Sequence, residues 1–233
     1  MRDSAAKNYL TFFKGNETEI EHRNILRLTK FTPSCRVLEI GAGTGRITER
    51  YAALTTLTIA SDYSFESLRE QQKRTPPPIL ERIQLVQADG TALPFRDAAF
   101  DRVLSAGVLM HIPGAEMRDR FLAEASRVLL PNGLAVITGK NYSLYYQWME
   151  YKREGRSEHG VITYSSTKAE YVNLLRKHFH VHDCLGFRYE IPKLTKYIGQ
   201  PLLLDRLLQH MPLSSYCARA FIAQCSKTAP DMP

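Results

Sequence analysis

The sequence predicts an α/β protein organised around a doubly wound, mostly parallel β-sheet. Three observations predict it. Between residues 35 and 138, short apolar runs alternate five times with helix-forming stretches, the pattern of parallel strands joined by crossover helices. The first apolar run stops at a cluster of glycines, and the second and third each lead to an aspartate. At 233 residues, 44% apolar or tyrosine and 24% charged, the chain suffices for one domain with a sizeable core.

Two helices open the chain, near residues 2–13 and 17–30. The second carries Glu17, Glu19 and Glu21 in its first turns and Lys30 at its end, which suits the helix dipole. Cys35–Ile40 is a buried strand, followed by a helix near 44–53 and a second strand, Thr56–Ser61, leading to Asp62. A helix over 64–74 is closed by Pro76–Pro78, since proline lacks the N–H a helix needs. Arg82–Gln87 and Phe100–Ser105 are the third and fourth strands. In the helix over 116–129, Phe121, Leu122, Ala125, Val128 and Leu129 share one face. Pro131-Asn132-Gly133 then turns into a fifth strand, Leu134–Thr138.

The last third differs. An aromatic segment, Tyr142–Tyr151, precedes a polar loop, a helix near 167–177 and a strand near 179–185. Residues 188–213 read as a helical insertion, and Ser215–Gln224 as a closing strand. These two late strands have no crossover helix between them and pair antiparallel at the sheet edge.

Composition excludes several classes. It is too ordinary for a disordered, collagen-like or coiled-coil chain, and no run approaches the ~18 apolar residues of a membrane span. The first 30 residues lack the apolar core of a secretory signal. Cys35, Cys184, Cys217 and Cys225 form no Cys-x-x-Cys pair and read as reduced thiols of a cytoplasmic protein. The net charge of +7 is uneven. Residues 140–233 hold 13 basic and 8 acidic side chains, against 18 and 16 before them. That surplus is either a solvated surface or a face for an anionic or carboxylate-bearing partner.

Ligands of open parallel sheets sit beyond the carboxyl ends of the strands. Those positions are Glu39–Gly45, Asp62, Asp89–Gly90 and Ser105–His111. Gly41, Gly43 and Gly45 are spaced at every second residue, whereas the dinucleotide fingerprint places its third glycine where Arg46 stands. Glu39 would repel a pyrophosphate and welcome a cationic amino-acid group. Asp62 can accept both hydroxyls of a ribose or, alternatively, cap the next helix. Asp89 can accept from an adenine amine or simply close a turn.

The combination resembles the class I S-adenosylmethionine-dependent methyltransferases of the small-molecule, methyltransferase type 11-like group. The matching pieces are Glu39–Gly45, Asp62, Ala88–Phe95, Phe100–Ser105 and Arg127–Gly133, within roughly residues 33–140. The resemblance implies a Rossmann-like sheet of seven strands with an antiparallel last strand. It also implies S-adenosylmethionine as cofactor and S-adenosylhomocysteine as product. Glu39, Gly41, Ala42, Gly43 and Gly45 would border the methionine moiety and Asp62, with Tyr63 beside it, the ribose. Asp89 and Gly90 would border the adenine, with Ser105 and Ala106 at the next strand end. The chain then divides into an N-terminal lid (1–32), a cofactor-binding core (33–140) and acceptor-binding elements (141–233) of a single domain.

A methyl transfer needs the acceptor lone pair in line with the methyl, roughly 3–3.5 Å away, and a base only where the acceptor loses a proton. His111 is the candidate base, or else a structural loop residue. Tyr142, Tyr145, Tyr146 and Trp148 form an acceptor pocket, or else the apolar face of an amphipathic helix. Tyr9, Phe12 and Phe13 form a lid or pack on the sheet edge. The fourth strand is followed by Ser105-Ala-Gly-Val-Leu109 rather than the Asn/Asp-Pro-Pro-aromatic of base amino-methyltransferases. With no basic stretch interleaved with aromatics of the kind that tracks nucleic acid, a nucleic-acid partner is disfavoured. His178, His180 and His182 would share one strand face, but no acidic or cysteine partner stands at ligand spacing, so no metal is expected. The reading is a methyltransferase acting on an oxygen or nitrogen of a small molecule or short peptide. A nucleotide-dependent oxidoreductase and a non-catalytic partner subunit are the rivals.

Overall fold

The structure, a computed structural model, describes residues 16–156, 161–189, 207–208, 211 and 214–227. Strand β1 (Arg36–Ile40) is buried at every position after the first, as befits a strand covered by helices on both faces. It pairs in parallel with β2 (Leu57–Asp62) on one side and β4 (Phe100–Ser105) on the other. β3 (Ile83–Gln87) lies outside β2, and β5 (Leu129–Lys140) outside β4. β9 (Ala218–Lys227) runs antiparallel to β5, and β8 (Phe179–Tyr189) pairs antiparallel with β9. The seven-stranded order is β3-β2-β1-β4-β5-β9-β8, so strand order reverses between β1 and β4 and the ligand crevice falls there.

Helices cover both faces. On one side α1 (Asn16–Thr29) sets Ile20, Ile25 and Leu28 against Val37, Leu104, Val136 and Ile222. Between β1 and β2 runs α2 (Thr48–Tyr51); after β2 come α3 (Phe65–Arg74) and α4 (Pro77–Leu80). On the other face α5 (Ala115–Val128) buries Phe121, Leu122 and Ala125 against Leu38, Val103 and Ile137. A short helix, α6 (Leu144–Trp148), follows β5, and a separate hairpin joins β6 (Glu154–Arg156) to β7 (Ile162–Tyr164). α7 (Lys168–Arg176) starts in a capping box of Thr167 and Glu170. Its Tyr171 hydroxyl donates to the Ile137 carbonyl at 2.7 Å, locking the helix onto β5.

Several expected boundaries move for identifiable reasons. The helix expected over 44–53 begins at Thr48, because Gly41, Gly43 and Gly45 all take positive φ and spend those residues on a turn. The fifth strand starts at Leu129, not Leu134. Leu129 pairs with Phe100 and its carbonyl accepts from Lys227, while the next β4 partner is Leu134 opposite Arg102, so the expected turn over Pro131–Gly133 is a bulge within the strand. The polar loop contains the β6–β7 hairpin, and the closing strand starts at Ala218, after a single 3-10 turn over Ser214–Tyr216. β8 continues to Tyr189, two residues into the expected insertion. The first expected helix, with Tyr9, Phe12 and Phe13, and most of 188–213 lie outside the described residues.

Arg127, at the end of α5, fastens the segment that leads from the third strand end to β4. Its guanidinium donates to the carbonyls of Leu93 (3.0 Å) and Phe95 (2.7 Å) and to Asp97 and Glu124. Glu124 in turn accepts from the Leu93 N–H at 2.7 Å. Arg127→Ala strands both carbonyls, and hydrogen bonds to charged groups are worth about 1.5–3 kcal/mol. The expected result in urea unfolding is a loss of about 2 kcal/mol, with earlier proteolytic cleavage within residues 93–97.

Candidate functional site

The site grows from the turn after β1. Positive φ at Gly41 (79°) and Gly43 (59°) is cheap only for glycine. It swings the N–H groups of Gly41 and Ala42 onto the Ser61 carbonyl at 2.7 and 2.9 Å. The Gly43 N–H then donates to Asp62 Oδ2 at 2.8 Å, while Asp62 Oδ1 accepts from the Ser64 N–H at 2.8 Å. The carboxylate is thereby braced at the mouth of β2. The helix cap that sequence offered to Asp62 is filled instead by Ser64, whose hydroxyl accepts from the Ser67 N–H. Tyr63 stands exposed beside it.

The facing strand end is built similarly. Gly107 (φ 74°) donates its N–H to Thr138 Oγ1 on β5 at 2.7 Å. A Cβ at Gly41 would strike Val108, so the two loops touch. At Gly43 and Gly107, by contrast, an added Cβ meets only open space. Ser105, Ala106 and Gly107 therefore face the glycine turn across the point where strand order reverses. Two buried hydroxyls here, Thr44 Oγ1 and Ser105 Oγ, have no hydrogen-bond partner among the described residues. Such groups call for a polar ligand, and a cradle open at two glycines, beside a braced carboxylate, fits an aminoacyl nucleoside. Asp89, exposed at the third strand end, accepts from both the N–H and hydroxyl of Thr91 at 2.8 Å. This turn places Gly90 against Phe121 and Ile40, where a Cβ would collide.

Glu39 is placed differently from the other strand-end acids. It is 1% exposed, and its Oε2 accepts from Thr48 Oγ1 at 2.7 Å and the Tyr51 hydroxyl at 2.9 Å. Burial pushes its carboxyl up to about 7, against the pull of those hydroxyls and of Arg46. It props α2 behind the glycine turn and carries only a fractional charge near neutrality.

His111 ends a 3-10 turn (Leu109–His111) beyond β4. Its Nδ1 lies 2.7 Å from the Ile162 carbonyl on β7. A carbonyl only accepts, so Nδ1 carries the proton and the basic lone pair sits on Nε2. The β6–β7 hairpin that provides this contact is fixed by Arg118, which stacks on Tyr164 (3.7 Å), reaches Glu154 (3.5 Å) and donates to the Ile112 carbonyl. Sequence reasoning missed both Thr138 and the Ile162 carbonyl: one acts from a strand interior, the other through backbone in a segment read as loop.

Beyond β5, the aromatic segment centres on Tyr146. Tyr145 and Tyr151 pack edge-on against it at 6.0 and 5.2 Å. Lys140 Nζ lies 5.6 Å from its ring centre, and Arg219 donates to its hydroxyl at 3.4 Å. Tyr142 lies beneath the Arg153 guanidinium. Trp148 points away and is 78% exposed. Of the three late histidines, His178 precedes β8 and bonds Asp119 on α5 at 3.1 Å, while the His180 and His182 rings meet at 4.8 Å. No group of three or more His, Cys, Asp or Glu side chains placed to hold a metal occurs among the described residues.

Residues 38–137 match the family model described as Methyltransferase domain. The chain is 35% identical over 105 residues to demethylmenaquinone methyltransferase of Renibacterium salmoninarum, covering 45% of this chain and 41% of that protein. It is 28% identical over 167 residues to the mouse (Mus musculus) protein named probable tRNA methyltransferase 9B, covering 72% of this chain and 33% of that one. The chain thus spans less than half the length of either curated relative. Among solved structures, an S-adenosylmethionine dependent methyltransferase from Mesorhizobium loti matches at TM-score 0.64 and 16% identity, over 91% of this chain and 99% of that one, a likeness of fold.

Glu39 gives a pH test. Its carboxyl titrates near 4.5 in an unfolded chain and near 7 here. Between these values the unfolded state binds fewer protons, so the contribution of a neutral Glu39 is complete below about 4.5 and lost as pH rises through 7. Buried His22, pushed down to about 4 by burial and by Arg46 and Arg50, acts oppositely but is common to both proteins and cancels. Relative to wild type, Glu39→Gln should gain on the order of 2–3 kcal/mol in unfolding free energy between about pH 5 and pH 8. Urea titrations at the two pH values measure it.

Proposed function

We propose that the chain, whose residues 38–137 match the model of the methyltransferase domain, is a class I methyltransferase with S-adenosylmethionine as cofactor and methylates an oxygen or nitrogen of a small molecule or short peptide. The observation that carries the proposal is the pair of open, positive-φ glycines, Gly43 and Gly107, facing each other across the switch point beside the braced Asp62. When bound, the cofactor supplies a methyl group already activated by its sulfonium.

The chain's own residues then bind, orient and move a proton. Asp62 accepts from the ribose hydroxyls through charge-assisted bonds worth roughly 1.5–3 kcal/mol each. Gly41–Gly45 border the methionine end, and Asp89, Gly90, Ser105 and Ala106 border the adenosine. His111, with Nδ1 tied to Ile162, takes the acceptor's proton on Nε2 where the acceptor must lose one. Tyr142, Tyr145 and Tyr146 wall the acceptor. Lys140 and Arg219, converging on Tyr146, favour an acceptor with a carboxylate or another anion. The four cysteines are all free, which supports a reducing, cytoplasmic setting.

An RNA acceptor is the second reading. It is favoured by the relative named probable tRNA methyltransferase 9B, whose match reaches 72% of this chain and so exceeds the domain itself. Turnover assays with metabolite, peptide and transfer-RNA panels separate the two. Calorimetry with S-adenosylmethionine against NAD tests the oxidoreductase rival, and absence of turnover with every acceptor would favour a non-catalytic partner subunit.

Two variants test the site. Asp62→Ala should weaken S-adenosylmethionine binding by at least about tenfold, the loss of one charge-assisted bond. Unchanged affinity in calorimetry would remove Asp62 from the site. His111→Ala should slow turnover by about 10²-fold or more with cofactor affinity retained; full activity would make His111 a purely structural residue.

A further inference from the structure

Large apolar side chains are exposed in one run. Leu144, Tyr145, Trp148, Met149 and Tyr151, on α6 and just past it, are 53%, 41%, 78%, 45% and 51% exposed. Scattered exposed apolar residues need no explanation, but a contiguous group marks an interaction surface. This group is also held in place. Ser143 caps the helix by accepting from the Tyr146 N–H. Gln147 donates to the Tyr142 carbonyl, and the Tyr151 N–H returns to the Tyr146 carbonyl at 3.0 Å. Tyr146, the anchor beneath, is gripped by Lys140 and Arg219. A preformed surface saves the ordering cost of binding.

Charge selects the occupant. Lys152 and Arg156, both exposed, follow the apolar group directly, and neither makes an ion pair among the described residues; against the exposed acid within the group, Glu150, they leave a small positive surplus. Apolar side chains that include leucine, methionine and an interfacial indole, followed by two cations, suit a segment that lies on an anionic bilayer. A single-stranded nucleic acid is served less well. It needs flat stacking partners and a track of cations along its phosphates, whereas Leu144 and Met149 cannot stack, and Arg153 is paired with Glu170 at 2.6 Å. No described helix is long and apolar enough to cross a membrane, so the contact is with the surface.

We propose that the segment Leu144–Arg156 docks the protein on an anionic lipid surface, with Trp148, Leu144 and Met149 entering the interface and Lys152 and Arg156 meeting headgroups. The inference does not rest on methyl transfer and is tested without turnover. Trp148 is the chain's single tryptophan, so its fluorescence reports on this surface alone. Vesicles of phosphatidylcholine with one-quarter phosphatidylglycerol should shift its emission to the blue and sediment the protein. Brominated acyl chains should quench it, and vesicles of phosphatidylcholine alone should bind far less. Leu144→Glu with Met149→Glu should weaken vesicle binding at least about tenfold with Trp148 retained as reporter and circular dichroism unchanged. Lys152→Glu with Arg156→Glu should abolish the preference for the anionic vesicles. Emission unmoved by either vesicle would overturn the proposal, as would equal binding to both or wild-type binding by the Leu144/Met149 variant. Quenching by polyuridylic acid in the absence of vesicle binding would likewise overturn it, in favour of RNA.

Discussion

The structure depends on one backbone constraint, the left-handed turn that ends β1. With Gly41, Gly43 and Gly45 at positive φ, the chain folds back so that three successive N–H groups meet Ser61 and Asp62 at the end of the neighbouring strand. Side chains with a Cβ resist this conformation. At Gly41 and Gly45 a Cβ would also run into Val108 and Gln71. The turn thus couples three things: the pairing of β1 with β2, the orientation of the Asp62 carboxylate, and the open space above Gly43.

That dependence explains what was legible in the sequence. Glycine spacing and strand-terminal aspartates are local signals of backbone geometry, so the five parallel strands and their carboxyl ends could be placed within a few residues. Side-chain direction is not local. Glu39 read as a charge at the ligand's edge, yet its partners, Thr48 and Tyr51, are set by how α2 packs behind the turn. The β6–β7 hairpin was invisible because its strands are three residues each, too short for an alternating pattern. It holds through Arg118 on Tyr164 and His111 on Ile162, contacts with residues far away in the chain.

The placement of Glu39 also changes the electrostatic argument for the ligand. A carboxylate poised near 7 is a weak lure for an ammonium and a weak barrier to a pyrophosphate. On the proposed reading, selection against phosphorylated nucleosides then falls to Asp62, whose carboxylate is fixed in the crevice by two backbone N–H groups, and to the turn's geometry. Arg46, the cation next to the glycine turn in sequence, is engaged with Glu21 of α1 at 2.8 Å.

The two halves of the site are built to different rules, and this bears on where similarity stops. The groups proposed to meet the cofactor sit at the ends of parallel strands, where moving one residue disturbs the sheet and its covering helices. The groups proposed to meet the acceptor rest in part on a five-residue helix and on a hairpin of two three-residue strands, held by a few side-chain contacts such as Arg118 on Tyr164 and Lys140 on Tyr146. Exchanging those elements leaves the core's register intact, so acceptor choice can change without cost to the fold. The family match ends at residue 137, three residues before Lys140, while β8 and β9 beyond it still complete the sheet. On the proposed reading, the acceptor is read from His111 within that match and from Lys140, Tyr146 and Arg219 outside it.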